Sequence, residues 1–298
     1  MNFRRVMMLV NLGNEYLKVI INTKGAEVTS IKNDQNIEYI WQADSNFWGR
    51  HAPILFPIVG RLKDDQYEYG GKKYSMGQHG FAREMEFSVT KRTNDAVTMQ
   101  LKSNASTFEM YPFHFTLTIS YLLSGSKLKA EISVINDGSN EMLFSVGAHP
   151  AFNVPLDNLS EKDYSEYYIN VFPQRTYEQV PFKAPYIDLN SVSDIDLSKS
   201  LQLKHEIFYD DAKVIKTSDK KLICRLGNKN LDHGVEVEAN KPEYAGLWSA
   251  KNAPFVCLEP WWGVADDINA DGILAHKNGI KHLLSEQTFN TDYSIKIF

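Results

Sequence analysis

Hydrophobic and polar residues alternate with a period of two along most of the chain. In the segment "FHFTLTISYLL", Phe113, Phe115, Leu117, Ile119 and Tyr121 alternate with polar residues, so the apolar side chains share one face of an extended strand. The turn sequence "SGSK" follows, and "LKAEISVIN" then repeats the alternation. The two segments together predict a β-hairpin.

The same period recurs in other parts of the sequence. "EYLKVIINTKGAEVTSIK" predicts a hairpin that turns at Lys24 and Gly25. Further strands are predicted for "AVTMQLKS", "EYYINVFP", "LICRLGN", "GVEVEAN", "FVCLEP" and "YSIKIF". Only short helices are predicted, near 155–165 and 264–278, and the polar stretch 188–205 is predicted to be a surface excursion. The pattern favours an all-β fold, a large antiparallel β-sandwich forming a single domain over 1–298.

Composition narrows the class of protein. The 298 residues are 43% hydrophobic and 23% charged, which is typical of a folded globular chain. The net charge is −5 and Lys and Arg are dispersed, so we expect no nucleic-acid partner. No stretch is long enough to span a membrane, and the apolar run at 6–10 is too short for a signal peptide. We expect a cytoplasmic monomer or homodimer that needs no cofactor.

The two cysteines, Cys224 and Cys257, stand far apart and outside any zinc-binding spacing. Isolated thiols are typical of a reducing compartment. The spacing of histidines and cysteines therefore predicts no metal site, although it leaves incidental binding of an ion open.

Four segments interrupt the strand pattern with unusual residues. They are "HAPILFPIVGRL" with Arg61, "GQHGFARE" with His79 and Arg83, "GAHPAFNVP" with His149, and "CLEPWWGVAD" with Glu259 and Trp262. Taken alone, each has an ordinary explanation, such as a turn histidine, a core tryptophan or a surface ion pair.

Together the four segments indicate a cleft. Two histidines and a glutamate stand at the ends of apolar strands beside Gly or Pro, and paired tryptophans supply an aromatic wall suited to the apolar face of a pyranose. The sequence contains no nucleophile elbow, no HExxH, no dinucleotide fingerprint and no phosphate-binding loop. The interpretation that remains is metal-free acid–base chemistry on a polar neutral ligand.

The ordered set of motifs resembles a known family. "GQHGFAR", "GAHPAFNVP" and "CLEPWWG", with "FPIVGRL" and "FYDDAKVIK", are similar to the signature segments of the galactose mutarotase (aldose 1-epimerase) superfamily, and most similar to its LacX-like branch. The resemblance covers about residues 14–298. It implies a galactose mutarotase-like supersandwich with a concave sugar-binding face, and an isomerase that interconverts the α and β anomers of a hexose.

The resemblance also implies residue roles. His149 corresponds to the general acid on the ring oxygen, Glu259 to the general base on the anomeric hydroxyl, and His79 to a second histidine that contacts the sugar. Acid and base are expected to approach the C1–O5 bond from opposite sides, on separate strands.

Substrate-binding roles follow in the same way. Arg61 corresponds to a sugar-binding arginine and Asp211 to a hydroxyl-binding aspartate, with the adjacent Asp210 as the alternative. We expect Trp262 to contact the sugar as part of the aromatic wall. If the substrate is a hexose 6-phosphate, Arg61 and Arg83 could hold its phosphate. A non-catalytic sugar-binding protein on the same fold is the other alternative.

Overall fold

The fold consists of β-strands joined by tight turns, with little helix. It is described by a computed structural model that covers residues 8–156, 163–230 and 233–298. Part of the helix predicted near 155–165 and the start of the apolar run at 6–10 lie outside these described residues.

Strands of two to ten residues make up most of the described chain. In chain order they are β1 (Leu9–Gly13), β2 (Leu17–Asn22), β3 (Glu27–Asn33), β4 (Ile54–Leu55), β5 (Gln66–Tyr69), β6 (Lys72–Ser75), β7 (Ser88–Arg92), β8 (Ala96–Lys102), β9 (Phe115–Ser124), β10 (Lys127–Asn136), β11 (Met142–Phe144), β12 (Val146–Ala148), β13 (Ala151–Asn153), β14 (Tyr167–Phe172), β15 (Thr176–Val180), β16 (Phe182–Lys183), β17 (Tyr186–Ile187), β18 (Ser193–Asp196), β19 (Leu201–Gln202), β20 (Lys213–Lys216), β21 (Lys221–Asn228), β22 (Gly234–Asn240), β23 (Tyr244–Trp248), β24 (Phe255–Trp262), β25 (Lys281–Leu283) and β26 (Thr288–Ile297).

Two large antiparallel sheets share one hydrophobic core. The nine-stranded sheet has the order β19-β14-β21-β22-β26-β10-β9-β8-β7, and the eight-stranded sheet has the order β18-β15-β20-β23-β24-β12-β4, with β13 also paired to β24. Leu117 and Ile132 of the first sheet and Ile54 and Leu258 of the second belong to the same buried cluster. This arrangement confirms the predicted all-β antiparallel sandwich.

Both predicted hairpins are confirmed. Strands β9 and β10 pair in register from Ser124 opposite Lys127 to Phe115 opposite Asn136. Strands β2 and β3 pair around the predicted turn, where Gly25 adopts a φ of 74°. These turns are specified locally, because glycine reaches the left-handed region without a Cβ clash.

Helical structure is limited to short segments. Helix α1 (Ala105–Met110) is too short to show a 3.6-residue stripe, but Asn104 caps it by accepting from the backbone N–H groups of Ser106 and Thr107. The predicted helical regions contain single 3₁₀ turns, at Tyr164–Glu166 and Leu274–His276. Throughout the described ranges, each helix falls short of the length and apolarity that crossing a membrane requires.

The central strand β24 separates the core from an outer face. Val256, Leu258 and Trp262 belong to the core between the sheets, whereas Cys257 and Trp261 belong to two smaller clusters on the other side. Because successive side chains of a strand point to opposite faces, Glu259 shares this outer face with Cys257 and Trp261.

Candidate active site

Five of the predicted site residues meet in one pocket on the outer face of the eight-stranded sheet. The pocket is partly open to solvent, and its lining includes Arg61, His79, His149, Asp211 and Glu259. These residues come from five distant parts of the sequence, so the sandwich topology is what brings them together.

His149 and Glu259 are in direct contact. His149 stands in the break between β12 and β13, where its N–H donates to the carbonyl of Pro53 at 3.1 Å, and Glu259 lies on the adjacent strand β24. Nε2 of the histidine lies 3.0 Å from Oε2 of the carboxyl group. The two atoms are close but not aligned for a hydrogen bond, so Oε2 of Glu259 has no hydrogen-bond partner. Nδ1, the other ring nitrogen of His149, has none either. The two groups therefore lie side by side rather than apart as expected.

Burial shifts both ionisations of this pair toward the neutral forms. His149 is 7% exposed and Glu259 is 2% exposed. Loss of hydration lowers the pKa of His149 to about 3, an effect that the nearby positive charges of Arg83 and Arg50 reinforce. Loss of hydration also raises the pKa of Glu259 well above its usual value, and the negative charge of Asp211 adds to the rise. The nearby Trp261 indole lowers the pKa of Glu259 and so offsets part of this rise, although the indole Nε1 makes no well-aligned hydrogen bond.

His79 is fixed by two hydrogen bonds to Gly60. The ring Nδ1 of His79 accepts from the backbone N–H of Gly60 at 3.0 Å. The backbone N–H of His79 donates to the Gly60 carbonyl at 2.7 Å. Because Nδ1 accepts, the ring proton belongs on Nε2, which leaves an N–H donor for a ligand. Burial, and secondarily the proximity of His149, lowers the pKa of His79 well below its usual value. The ring packs edge-on against that of His149, with 5.6 Å between their centroids.

Replacement of Gly60 by alanine should destabilise the protein and disturb this support. Gly60 has a φ of 75°, and an added Cβ would lie 2.4 Å from the Ala265 Cβ. We expect the clash to lower the free energy of unfolding by about 1–3 kcal/mol beyond the cost of the left-handed backbone. Gly70→Ala is a matched control, because Gly70 also has a positive φ of 57° but has no atom within 4 Å of the added Cβ. Equal denaturation midpoints for the two variants would contradict the expectation.

Arg61 and Asp211 both line the pocket. Arg61 is 37% exposed and its guanidinium lies 3.3 Å from the Asp65 carboxylate. Asp211 has a strained φ of 87° and accepts from the Ala212 N–H at 2.7 Å. Asp211, rather than its exposed neighbour Asp210, lines the pocket with Glu259.

Two predicted residues are not brought to the pocket. Trp262 belongs to the core between the sheets, where its Nε1 donates to the Asn240 carbonyl at 3.1 Å. Trp261 lines the pocket instead, because its position on β24 has the same parity as Glu259. Arg83 is not among the residues that line the pocket; it donates to the Gln78 carbonyl at 2.6 Å, and its charge lowers the pKa of both histidines.

Three further groups of the site were not predicted from the sequence. Trp48 stacks on the His149 ring with 4.8 Å between centroids, and Trp248 meets the same ring edge-on at 5.7 Å. Cys257 is fully buried and lies close to both His149 and Glu259. Trp248 and Cys257 stand opposite each other on neighbouring strands, and Trp48 reaches the site from the segment between β3 and β4.

Comparison with known proteins identifies the family of the chain. A family model described as aldose 1-epimerase matches residues 8–270. The chain belongs to the aldose 1-epimerase family. The protein LacX (chromosomal form) of Lactococcus lactis subsp. lactis is 33% identical over 301 residues, which cover 97% of this chain and 99% of LacX.

Solved structures of aldose epimerase relatives share the fold closely. The X-ray structure of a galactose mutarotase related enzyme from Lactobacillus acidophilus is 37% identical, with a TM-score of 0.95 over 98% of this chain and 97% of that one. A galactose mutarotase-like protein from Lactobacillus casei is 32% identical, with a TM-score of 0.89 over 98% and 100%. Family membership supports a carbohydrate epimerase kind of function, for which a sugar is the fitting substrate.

Proposed function

We propose that this protein is an aldose 1-epimerase that interconverts the α and β anomers of a hexose by general acid–base catalysis. The observation that carries the proposal is the contact between His149 and Glu259 in a pocket that also presents Arg61, His79 and Asp211. The core shared by both large sheets further supports the proposal that 1–298 act as a single domain.

The reaction needs a proton to leave one oxygen and another to reach its neighbour. Glu259 takes the proton from the C1 hydroxyl while His149 protonates the ring oxygen O5, and the C1–O5 bond opens to an aldehyde. Rotation about the C1–C2 bond presents the other face of the carbonyl, and the ring closes with the proton transfers reversed. Because O1 and O5 are bonded to the same carbon, an acid and a base that lie side by side can reach both.

The proton count of the pair suits a reversible reaction. Ring opening needs one proton on the pair, held by the imidazole while the carboxylate is free to accept; a proton that rests on Glu259 first passes to His149 across their 3.0 Å contact. Burial lowers the pKa of His149 to about 3 and raises that of Glu259 well above its usual value, so one proton stays on the pair over the intervening pH range. The titration is then a property of the pair rather than of either residue.

This proton count predicts an unusual pH profile. Below the lowered pKa of His149 the pair holds two protons, and above the raised pKa of Glu259 it holds none, so activity is lost at both extremes. We expect kcat/KM to stay level between about pH 5 and about pH 7, whereas a histidine acid of ordinary pKa would lose its proton and its activity as the pH rises through about 6.5. The profile is measured by polarimetry with folding checked at each pH. A loss of activity centred on the usual histidine pKa would contradict the account.

The other residues are assigned binding roles in the proposal. The Nε2–H of His79 donates to a sugar oxygen, Arg61 donates to hydroxyl oxygens, and Asp211 accepts from a hydroxyl group. Trp248 and Trp261 supply apolar surface for the carbon face of the ring. These contacts hold C1 against the acid and base, which is worth more than the proton transfers alone.

A hexose 6-phosphate is a second candidate substrate. Arg61 lines the pocket, and the charges of Arg50 and Arg83 both act on His149. Against it, Arg50 is paired with Glu84 and Arg83 is bonded to the Gln78 carbonyl. We therefore favour a free hexose.

An anomer-exchange NMR screen over free and phosphorylated hexoses tests the proposed function. We expect faster exchange for at least one free hexose, with saturation as its concentration rises. Acceleration confined to phosphorylated sugars would favour the second candidate, and no acceleration with any sugar would reject both.

A further inference from the structure

Three metal-ligating groups converge at the base of the pocket. One ring nitrogen of His149, Sγ of Cys257 and one carboxylate oxygen of Glu259 all lie within 4.8 Å of one another. All three residues are buried, with exposures of 7%, 0% and 2% respectively. The mechanism uses the histidine and the glutamate but gives the thiol no role.

The sheet register creates this cluster. Cys257 and Glu259 are two residues apart on β24 and so project from the same face. Ala151 pairs with Cys257, and His149 stands two residues before it in the break between β12 and β13. Cys257 and Glu259 are therefore held by β24, and His149 by the two-residue break between two strands that both pair with β24.

The geometry is close to that of a tetrahedral zinc site. Zinc binds sulfur at about 2.3 Å and nitrogen or oxygen at about 2.0–2.2 Å, so its ligand atoms stand roughly 3.3–3.8 Å apart. One pair here, Nε2 of His149 and Oε2 of Glu259, is 3.0 Å apart, and the widest separation is no more than 4.8 Å. Side-chain movements of about 1 Å would bring all three atoms to zinc distances.

The Glu259 carboxyl group also carries an unused polar atom. Its Oε2, which lies 3.0 Å from Nε2 of His149, is buried without a hydrogen-bond partner. Buried polar atoms are usually satisfied, so such an atom next to a thiol marks a place where a further ligand gains contacts. A set of nitrogen, sulfur and carboxylate oxygen selects Zn²⁺ or Cd²⁺ over Mg²⁺ and Ca²⁺, which prefer oxygen ligands.

We propose that His149, Cys257 and Glu259 form a binding site for a thiophilic divalent cation such as Zn²⁺, and that its binding inhibits the enzyme. On binding, the cation forms bonds to nitrogen, sulfur and oxygen, and the protons on the thiol and carboxyl groups pass to solvent. The imidazole and carboxylate are then unable to transfer protons to and from a sugar. The inhibition rests on the proposed function, whereas the binding does not.

Cadmium titration tests the binding without any use of catalysis. A Cd²⁺ ion bound to a thiolate absorbs in the near ultraviolet, so we expect a band that saturates at one equivalent of Cd²⁺ in the wild type. Cys224→Ala is the matched control, since Cys224 is also buried but belongs to the core. We expect Cys224→Ala to keep the band and Cys257→Ala to lose it. No band in the wild type, or a band that persists in Cys257→Ala, would overturn the proposal.

Zinc inhibition tests the consequence. Loss of even an outer partner of a metal site costs roughly 10–100-fold in affinity, so Cys257→Ala should raise the half-inhibitory Zn²⁺ concentration at least 100-fold while Cys224→Ala leaves it unchanged. Cys257→Ser is a second variant of nearly the same size, for use if the alanine variant fails to fold. Equal inhibition of all variants would overturn the inhibitory role. A wild type that shows the cadmium band but never accelerates anomer exchange would overturn the proposed function and leave the cation site intact.

Discussion

Replacement of Glu259 by glutamine, or of His149 by alanine, is expected to lower the rate of anomer exchange by about 10²–10⁴-fold. Glutamine keeps the size of the side chain but cannot take the C1 proton, and alanine removes the group that protonates O5. Because the two residues act on one proton path, the double variant should lose little more than either single variant. Polarimetry or exchange NMR at saturating sugar measures these rates.

The control for these variants is a carboxylate of the same sheet outside the pocket. Glu178 on β15 forms an exposed ion pair with Lys216, so Glu178→Gln should leave the exchange rate unchanged. Thermal melting of each variant separates lost chemistry from lost folding. Wild-type activity in folded Glu259→Gln or His149→Ala would remove that residue from the mechanism.

The adjacent tryptophans Trp261 and Trp262 are expected to respond differently to truncation. Trp262→Ala removes a large side chain that is 2% exposed from the core between the sheets, so the free energy of unfolding should fall by about 3–5 kcal/mol. Its KM for sugar should not change under conditions where the variant is folded. Trp261→Ala removes pocket surface, so it should raise KM at least about tenfold, together with any loss of stability.

Denaturant unfolding and exchange kinetics on both variants make this comparison. Trp261 lies over Gly147 and Gly246 of the neighbouring strands, where an added Cβ would come within 2.9 Å of its ring, so its indole lies across the sheet rather than in the core. A raised KM for Trp262→Ala with an unchanged KM for Trp261→Ala would show that the assignment of faces on β24 is wrong.

Local patterns were sufficient to predict the strands and hairpins. Alternation in β9 and β10 and the glycine turn between β2 and β3 are properties of neighbouring residues, and the structure confirms both hairpins. The motifs around His79 and His149 were also local, since Gly and Pro interrupt strands and leave polar groups beside the sheet. The prediction that Glu259 ends a strand was wrong, because β24 continues through it to Trp262. The pocket combines these motifs as the sequence predicted.

Parity and register decided what the sequence missed. The prediction that Trp262 contacts the sugar was wrong, because side chains alternate along β24 and Trp261, not Trp262, shares the face of Glu259. The same alternation placed Cys257 beside Glu259. Trp48 and Trp248 had no comparable signal, because Trp248 reaches His149 through long-range strand pairing and Trp48 through a loop. The spacing rule that predicts no metal site compares residues close together in the chain, whereas His149 and Cys257 are more than a hundred positions apart.

The most direct test of the central claim measures binding and exchange in the same sample. Trp248 and Trp261 line the pocket, so tryptophan fluorescence reports sugar binding while NMR reports the interconversion of anomers. The account predicts that the sugar which changes the fluorescence also exchanges faster, with half-saturation at about the same concentration, and that Glu259→Gln keeps the fluorescence change but loses the acceleration. Saturable binding to the wild type with no acceleration of exchange would contradict it and identify a sugar-binding protein instead.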